Sequence, residues 1–369
     1  MVKKRKRNLL NFIFIVLNIV FAILLLLSYL ANYISPEKYF FIAFMGLSYP
    51  YLLLANTLFL FYWIIQLHRF FLLSLICIAI GFSFIPRLYQ FKKKEVEQQD
   101  STSIKIMSYN VNIFGLYNSK NTSDSIFNYI QKEKPNIICF QEYFQNNKHY
   151  KYDDTIINKT KAKYKHLYIK GKSHQFGLAT FSVFPIINKG IIILPKATTN
   201  KAMFTDIAIK QDTIRVYNIH FQSIKFEETD YHFTEKVTNI DIDIKNKRTQ
   251  KEAKQVFKKL KKGYLARSKQ VQTIVEHIKN SPYPVVVCGD FNDVPWSYTY
   301  QKISNLLSDA FVDSGKGFAP SFYVNQRLPI RIDYVFYDKR FYEVTNFKVD
   351  KKPYSDHFPV QTLLSKVKI

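Results

Sequence analysis

Cysteine and glycine are both scarce in this 369-residue chain, at three and ten residues. Cys77, Cys139 and Cys288 lie far apart, in a spacing that fits neither a zinc cluster nor a disulfide framework. Each sits inside an apolar run, where a free thiol behaves as a small buried hydrophobe. So few glycines, beside 33 Phe and 26 Tyr, exclude a fibrous repeat and a disordered chain. No internal repeat or low-complexity block is present. Acidic residues are also in short supply: 28 Asp and Glu stand against 53 Lys and Arg, a formal net charge of +25. That surplus attracts polyanions such as nucleic acid, anionic lipid or phosphorylated substrates, and being diffuse it selects none of them.

What the chain does have is a long apolar beginning. Residues 3–7 are Lys-Lys-Arg-Lys-Arg, and an apolar run from Leu9 to about Tyr33 follows. The run is longer than a signal-peptide core, lacks a small-residue cleavage site, and is long enough to cross a bilayer as a helix. A second run extends from Tyr39 to Leu67 with Pro50 inside it, and a third from Phe70 to Ile85. The sequence therefore predicts a transmembrane region over 1–90 of about three helices, a polar linker over 91–103, and a folded domain over 104–369. A basic N-terminus in the cytoplasm and three crossings place that domain outside the cytoplasm, on a multi-pass inner-membrane protein. Arg87, Lys92, Lys93 and Lys94 oppose this, because positive charges after the third run belong in the cytoplasm. Two spans with a cytoplasmic domain is the competing arrangement.

From Ile104 the pattern alternates strands with helices. Strands are expected over 104–112, 136–140, 177–183, 190–194, 203–209, 213–219 and 284–288, and helices over 123–134, around 256–260 and over 264–279. The stretch 224–262 turns from acidic and aromatic (Glu227, Glu228, Asp230, Tyr231) to strongly basic, from Lys245 to Lys262. It reads as a solvated helix face, with docking on phosphate or anionic lipid as the alternative.

Polar residues gather at the strand ends. Val285-Val286-Val287-Cys288 reads as a buried strand, and the two-residue period puts Asp290 and Asn292 on one side just beyond it. Gly289 permits a turn and Pro295 stops the strand. Asn110 and Asn112 end the first strand, Glu142 follows the second, and His220 closes a later one. Arg331-Ile332-Asp333-Tyr334 and Ser355-Asp356-His357 come last. Unpaired polar groups beside a core are costly, so their recurrence at strand ends points to one shared site. Carboxylates with water and phosphate ligands suit Mg²⁺ or Mn²⁺ better than zinc. Phosphoester hydrolysis needs such a cation and a group that takes a proton from water.

In this order the motifs resemble the endonuclease/exonuclease/phosphatase family, with its deoxyribonuclease-I-like fold, in a membrane-anchored bacterial form. The resemblance spans roughly 104–365. It implies an α/β fold, a four-layer α-β-β-α sandwich of two facing mixed sheets, behind the N-terminal transmembrane region. It further implies divalent-metal-dependent hydrolysis of a phosphoester, in nucleic acid or a phospholipid head group. Glu142 matches the metal-binding glutamate, with Asn110, Asp356 and Asn112 beside the Mg²⁺ or Mn²⁺. Asn112 stands where several members carry Asp, and a turn role also explains it. Asp290 and Asn292 match the pair that orients water and phosphoryl oxygens. Asp333 matches the carboxylate that fixes the tautomer of His357, the base or hydrogen-bond donor. His220 matches the histidine that contacts phosphate and protonates the leaving oxygen, so Asn110, Asn292 and His220 bind substrate. The competing class is a catalytically weak, membrane-anchored binding or signalling module with the same fold. His166, His174 and His277 have no motif around them, and Trp296, Tyr298 and Tyr300 read as core.

Overall fold

A computed structural model describes residues 2–91, 103–115, 122–146, 152–171, 174–195, 200–239, 243, 245–324 and 328–367. Lys92, Lys93, Lys94 and most of the expected linker lie outside the described residues. Helices α1 (Val2–Leu30), α2 (Phe40–Leu47), α3 (Tyr49–Ile65), α4 (Phe71–Ile80) and α5 (Ile85–Leu88) come first. Next are β1 (Ile104–Asn110), α6 (Thr122–Glu133), β2 (Ile137–Asn146), α7 (Tyr152–Lys159), β3 (Tyr164–Lys170) and β4 (His174–Ser182). Then follow β5 (Ile186–Ile192), β6 (Lys201–Ile209), β7 (Asp212–His220), α8 (Glu228–Thr238) and α9 (Lys247–Lys279). After these come β8 (Val285–Asp290), α10 (Tyr298–Ser304), β9 (Ser308–Asp309), α11 (Ala310–Ser314), β10 (Phe322–Val324) and β11 (Leu328–Ile330). The series closes with β12 (Asp333–Tyr337), β13 (Tyr342–Val349) and β14 (Val360–Lys366).

The strands form two six-stranded sheets, ordered β13-β14-β1-β2-β4-β3 and β5-β6-β7-β8-β12-β9. Within them β1 runs parallel to β2, and β7 parallel to β8; the other pairs are antiparallel. Alternation along the strands builds the layers. Ile104 and Ile106 of β1, Ile137 and Cys139 of β2, Ile214 and Val216 of β7, and Val286 and Cys288 of β8 meet between the sheets. Met107, Tyr109, Ile138 and Phe140 point outward onto α6 and α7. Tyr217, Ile219, Val285 and Val287 point outward onto α9. The result is the expected four-layer α-β-β-α sandwich. The three free cysteines are all buried.

Several elements differ from expectation. Strand β2 runs on to Asn146, because a bulge between Phe140 and Tyr143 carries it past Gln141 and Glu142. The basic segment and the helix after it are one 33-residue helix, α9, with no proline to break it. Helices α7 and α8 and strand β3 lack a clean apolar period and were not legible. Gly289 lies inside β8 rather than in a turn: a Cβ there would meet the Ile219 carbonyl oxygen at 2.0 Å, so only Gly lets β7 and β8 approach.

One helix, Leu9–Leu30, is long and apolar enough to cross a membrane alone. The pairs Phe40–Leu47 with Tyr49–Ile65 and Phe71–Ile80 with Phe82–Leu88 pass that test only together, bent by 61° and 55°. Helix α3 lies antiparallel to α1: Phe14 stacks on Tyr62, Asn56 donates to the Phe21 carbonyl, and Tyr29 meets Tyr49. Buried Asn18 donates to Ser74 Oγ at 2.7 Å and accepts from Trp63 Nε1 at 3.1 Å, joining α1, α3 and α4. Such polar pairs hold apolar helices together where hydrophobicity cannot.

The helical region is docked on the sandwich. Trp296, just after β8, sits on Tyr49 with ring centroids 4.7 Å apart, inside the apolar core of the helices. Arg87 donates to Asn32 Oδ1 (3.0 Å), the Pro295 carbonyl (3.1 Å) and Gln301 Oε1 (2.8 Å), and its own carbonyl accepts from Arg331. Its guanidinium therefore serves this joint.

Candidate active site

The inner rows of five strands reach the same edge of the sandwich, and each ends on a polar residue. Ile104, Ile106 and Ser108 lead to Asn110; Ile137 and Cys139 lead to Gln141; Val216 and Asn218 lead to His220; Val286 and Cys288 lead to Asp290. Asp333 begins the inner row that continues through Val335 and Tyr337. A two-residue period and a shared register are enough to bring these groups together.

Register then decides who touches whom. Asp333 and His220 both lie opposite Asp290, on either side of it. His357, which bridges to Phe322, receives the two aspartates: its Nδ1 is 2.8 Å from Asp333 Oδ2 and its Nε2 is 3.7 Å from Asp290 Oδ2. Asp333 is fixed in turn through its backbone N–H, which donates to buried Ser321 Oγ at 2.9 Å. Asn110 Nδ2 donates to Asp290 Oδ2 at 3.1 Å. Asn292, in a left-handed turn at φ +52°, aims its amide at the same oxygen (3.1 Å) and at the Phe221 carbonyl (3.1 Å). The bulge in β2 puts Glu142 at φ +50°, which swings it toward the cluster, 3.7 Å from His220 Nε2.

Burial and charge set the proton affinities. Burial pushes Asp290 up to about 6, with His357 pulling it back and Asp333 adding to the rise. Burial opposes charging of His357, but Asp333 and Asp290 outweigh it and hold the imidazole up to about 10. Burial lowers His220 despite Asp290, leaving it neutral. Glu142 is raised by burial, then by Asp356. Two carboxylates with raised affinity could be met by a cation, and buried His220 Nε2 has no hydrogen-bond partner among the described residues.

Asp290, Asp333 and His357 offer ligand atoms all within 4.8 Å of one another, a buried group that could hold a divalent ion. Within that trio, however, His357 is already engaged with both carboxylates and carries positive charge, which repels a cation. Glu142, one-third exposed, and Asp356 on the rim offer hard oxygens on the open side. Asp356 is exposed and accepts from Ser355 Oγ. Asn112 takes a turn conformation (φ +42°), and its N–H donates to Asn110 Oδ1 at 3.1 Å, steadying that side chain.

A model of the endonuclease/exonuclease/phosphatase family matches residues 265–357, the stretch that carries Asp290, Asn292, Asp333 and His357. Over that stretch the chain is similar to the endonuclease/exonuclease/phosphatase family. A domain of unknown function (DUF8431) matches residues 11–88, the helical region. Among solved structures, the human Nocturnin catalytic domain with bound sulfate anion overlays with a TM-score of 0.53 at 16% identity, over 76% of this chain and 97% of that one. A family member from Bacteroides vulgatus gives 0.52 at 16% identity, over 72% of this chain and all of its own. A family protein from Leptotrichia buccalis C-1013-b gives 0.51 at 18% identity with the same coverage. These likenesses establish the fold. No curated protein matches the chain.

The cluster has buried polar neighbours that sequence reasoning missed. Lys201, on β6 opposite His220, is buried with its Nζ above the Phe176 ring (4.6 Å) and near Tyr168 (5.6 Å). Burial brings it down to about 8. Beneath the site, Gln141 Nε2 donates to Asn218 Oδ1 at 2.8 Å and ties the two sheets together. Neither belongs to a motif; only their distance along an inner row from Glu142 and His220 marks them. Two of the histidines without motifs have packing roles: His166 bonds Thr205 (3.0 Å) and His277 bonds Tyr217 (2.8 Å).

Proposed function

We propose that this protein is a membrane-anchored, divalent-metal-dependent phosphoester hydrolase. The observation that carries the reading is the buried Asp333–His357 pair set against Asp290 at one edge of the sandwich, with Glu142 on its open side. A carboxylate at about 6 is ionised at neutral pH and can accept a proton, while an imidazole at about 10 is a donor. Asp290 therefore takes the proton of an attacking water as its oxygen bonds to phosphorus and the ester P–O bond breaks. His357, with Nδ1–H held by Asp333, offers Nε2–H to a nonbridging oxygen whose charge grows in the transition state. Neutral His220 gives a hydrogen bond to a phosphoryl or leaving oxygen, and Lys201 behind it adds positive charge. Glu142, with Asn110 and Asp356, would hold Mg²⁺ or Mn²⁺, which offsets the charge on the phosphoryl oxygens. The sulfate in the Nocturnin catalytic domain supports the reading, since sulfate has the shape and charge of a phosphoryl group.

The antiparallel packing of α1 against α3, with α4 returning beside α1, supports a reading of three crossings, with the sandwich at the membrane face opposite the basic N-terminus. An extracytoplasmic domain follows from that and the positive-inside rule.

The test is turnover by the full-length protein in detergent, offered duplex DNA, a chromogenic phosphodiester, a phosphomonoester and a sphingomyelin-like lipid, each with Mg²⁺ and with chelator. Chelator-sensitive cleavage of at least one is expected, and the preferred substrate separates a nucleic-acid from a lipid phosphodiesterase. Folded protein that cleaves none returns the chain to the binding-module class.

A further inference from the structure

The basic half of α9 has a defined place in the molecule. Lys247, Lys251, Lys254, Lys258 and Lys262 recur at helical intervals and form one stripe, roughly 22 Å long at 1.5 Å per residue. All five are exposed, and none has a carboxylate partner among the described residues. Other cations of this helix are neutralised: Arg248 pairs with Glu252, and Lys259 with Glu227 and Asp230. The stripe is thus a charge left open rather than part of a surface network.

Its edge borders the membrane region. Phe257, with Lys254 and Lys261 one turn to either side, stacks on Phe44 of α2 at 4.8 Å. Lys261 Nζ lies 4.1 Å from the centre of the Phe40 ring. Glu37, seven residues beyond the end of α1 at Leu30, holds Ser268 Oγ (3.2 Å) and Lys269 Nζ (3.3 Å) of the same helix. Helix α9 therefore passes the point where the one self-sufficient membrane helix emerges. Phe41 and Phe257 remain 55% and 39% exposed there, apolar side chains flanked by lysines, as in helices that lie in a bilayer interface.

We infer that the lysine stripe of α9 binds the phosphate head groups of anionic lipids in the leaflet from which α1 emerges, holding the domain down on the membrane surface. The inference rests on α1 crossing a bilayer. Continuity with the apolar helices favours lipid over nucleic acid, because lysines near an anionic leaflet are attracted to it and the leaflet is already at hand.

The test is amine footprinting of the unmodified full-length protein in nanodiscs of phosphatidylcholine alone or with roughly one-third phosphatidylglycerol. Acetylation of Lys251, Lys254, Lys258 and Lys262 is expected to slow about fivefold in the anionic discs and to recover in high salt, while exposed Lys339 is unaffected. Equal rates in both discs overturn the proposal. So does stronger protection by a duplex oligonucleotide added to the neutral discs. Failure of the protein to enter discs at all overturns the anchoring itself, an outcome read separately by size exclusion.

Discussion

Asp290 and Asp333 stand directly opposite each other on neighbouring strands, where two like charges repel. His357 resolves the repulsion by lying between them, and the same contacts make it a cation at neutral pH. Asp333→Asn removes the partner of Nδ1 and allows the wrong tautomer, so kcat should fall by about 10²–10⁴-fold with little change in KM. Steady-state kinetics on the full-length protein checks this, and a loss under tenfold would remove the assigned pairing. The proton affinity has a stability consequence as well. The folded His357 value, up to about 10, lies above the ordinary 6.5, so its stabilisation is complete below about 6.5 and is lost as pH rises through about 10. Chelated protein should therefore unfold at lower denaturant as pH rises across that window, and His357→Gln should flatten the slope. At the open side, Glu142→Gln should raise the Mg²⁺ concentration for half-maximal activity by roughly tenfold or more. Unchanged metal dependence would move the cation to the Asp290–Asp333–His357 group.

At the scale of elements, the site is a by-product of register. Asn110, Asp290 and Asp333 were legible because each follows or starts a clear apolar alternation, and alternation fixes which face a residue joins. Glu142 was placed at the end of the second strand and given its metal role by resemblance; the bulge that aims it leaves no mark in the sequence, since it depends on pairing with β4. Lys201 and Ser321 were missed because their partners are distant in the chain and no local pattern names them. The length of α9 was missed because lysines crowd its first half, although Val256, Tyr264, Arg267, Val271, Ile274 and Ile278 keep one buried face along the helix. Gly289 plays a different part from the expected one, since it serves strand approach and not a turn. Gly289→Ala would press a methyl onto the Ile219 carbonyl and should destabilise the fold by about 3 kcal/mol or more, as read by chemical denaturation. A shift of a few tenths would mean that β7 and β8 can separate freely.

For the whole molecule, the sequence gives three apolar runs but not their joint with the domain. Only the fold shows Arg87 spanning from Asn32 to Gln301, with Trp296 seated among the helices. The proposed three-crossing arrangement has the turn at Leu67, which is 95% exposed, on the cytoplasmic side and Lys339 on the other. A membrane-impermeant maleimide on intact cells should thus label Lys339→Cys and spare Leu67→Cys. The reverse result would turn the molecule over. The native cysteines are buried and should stay silent.

Arg87, Trp296 and the paired backbones of Gln90 and Gly317 join helices to sandwich without using the covalent connection between them. The peptide bond between the two parts is then a tether for assembly more than a structural member. Cleaved within residues 92–102, or expressed as two separate polypeptides, the halves should find each other and reconstitute the protein by fragment complementation.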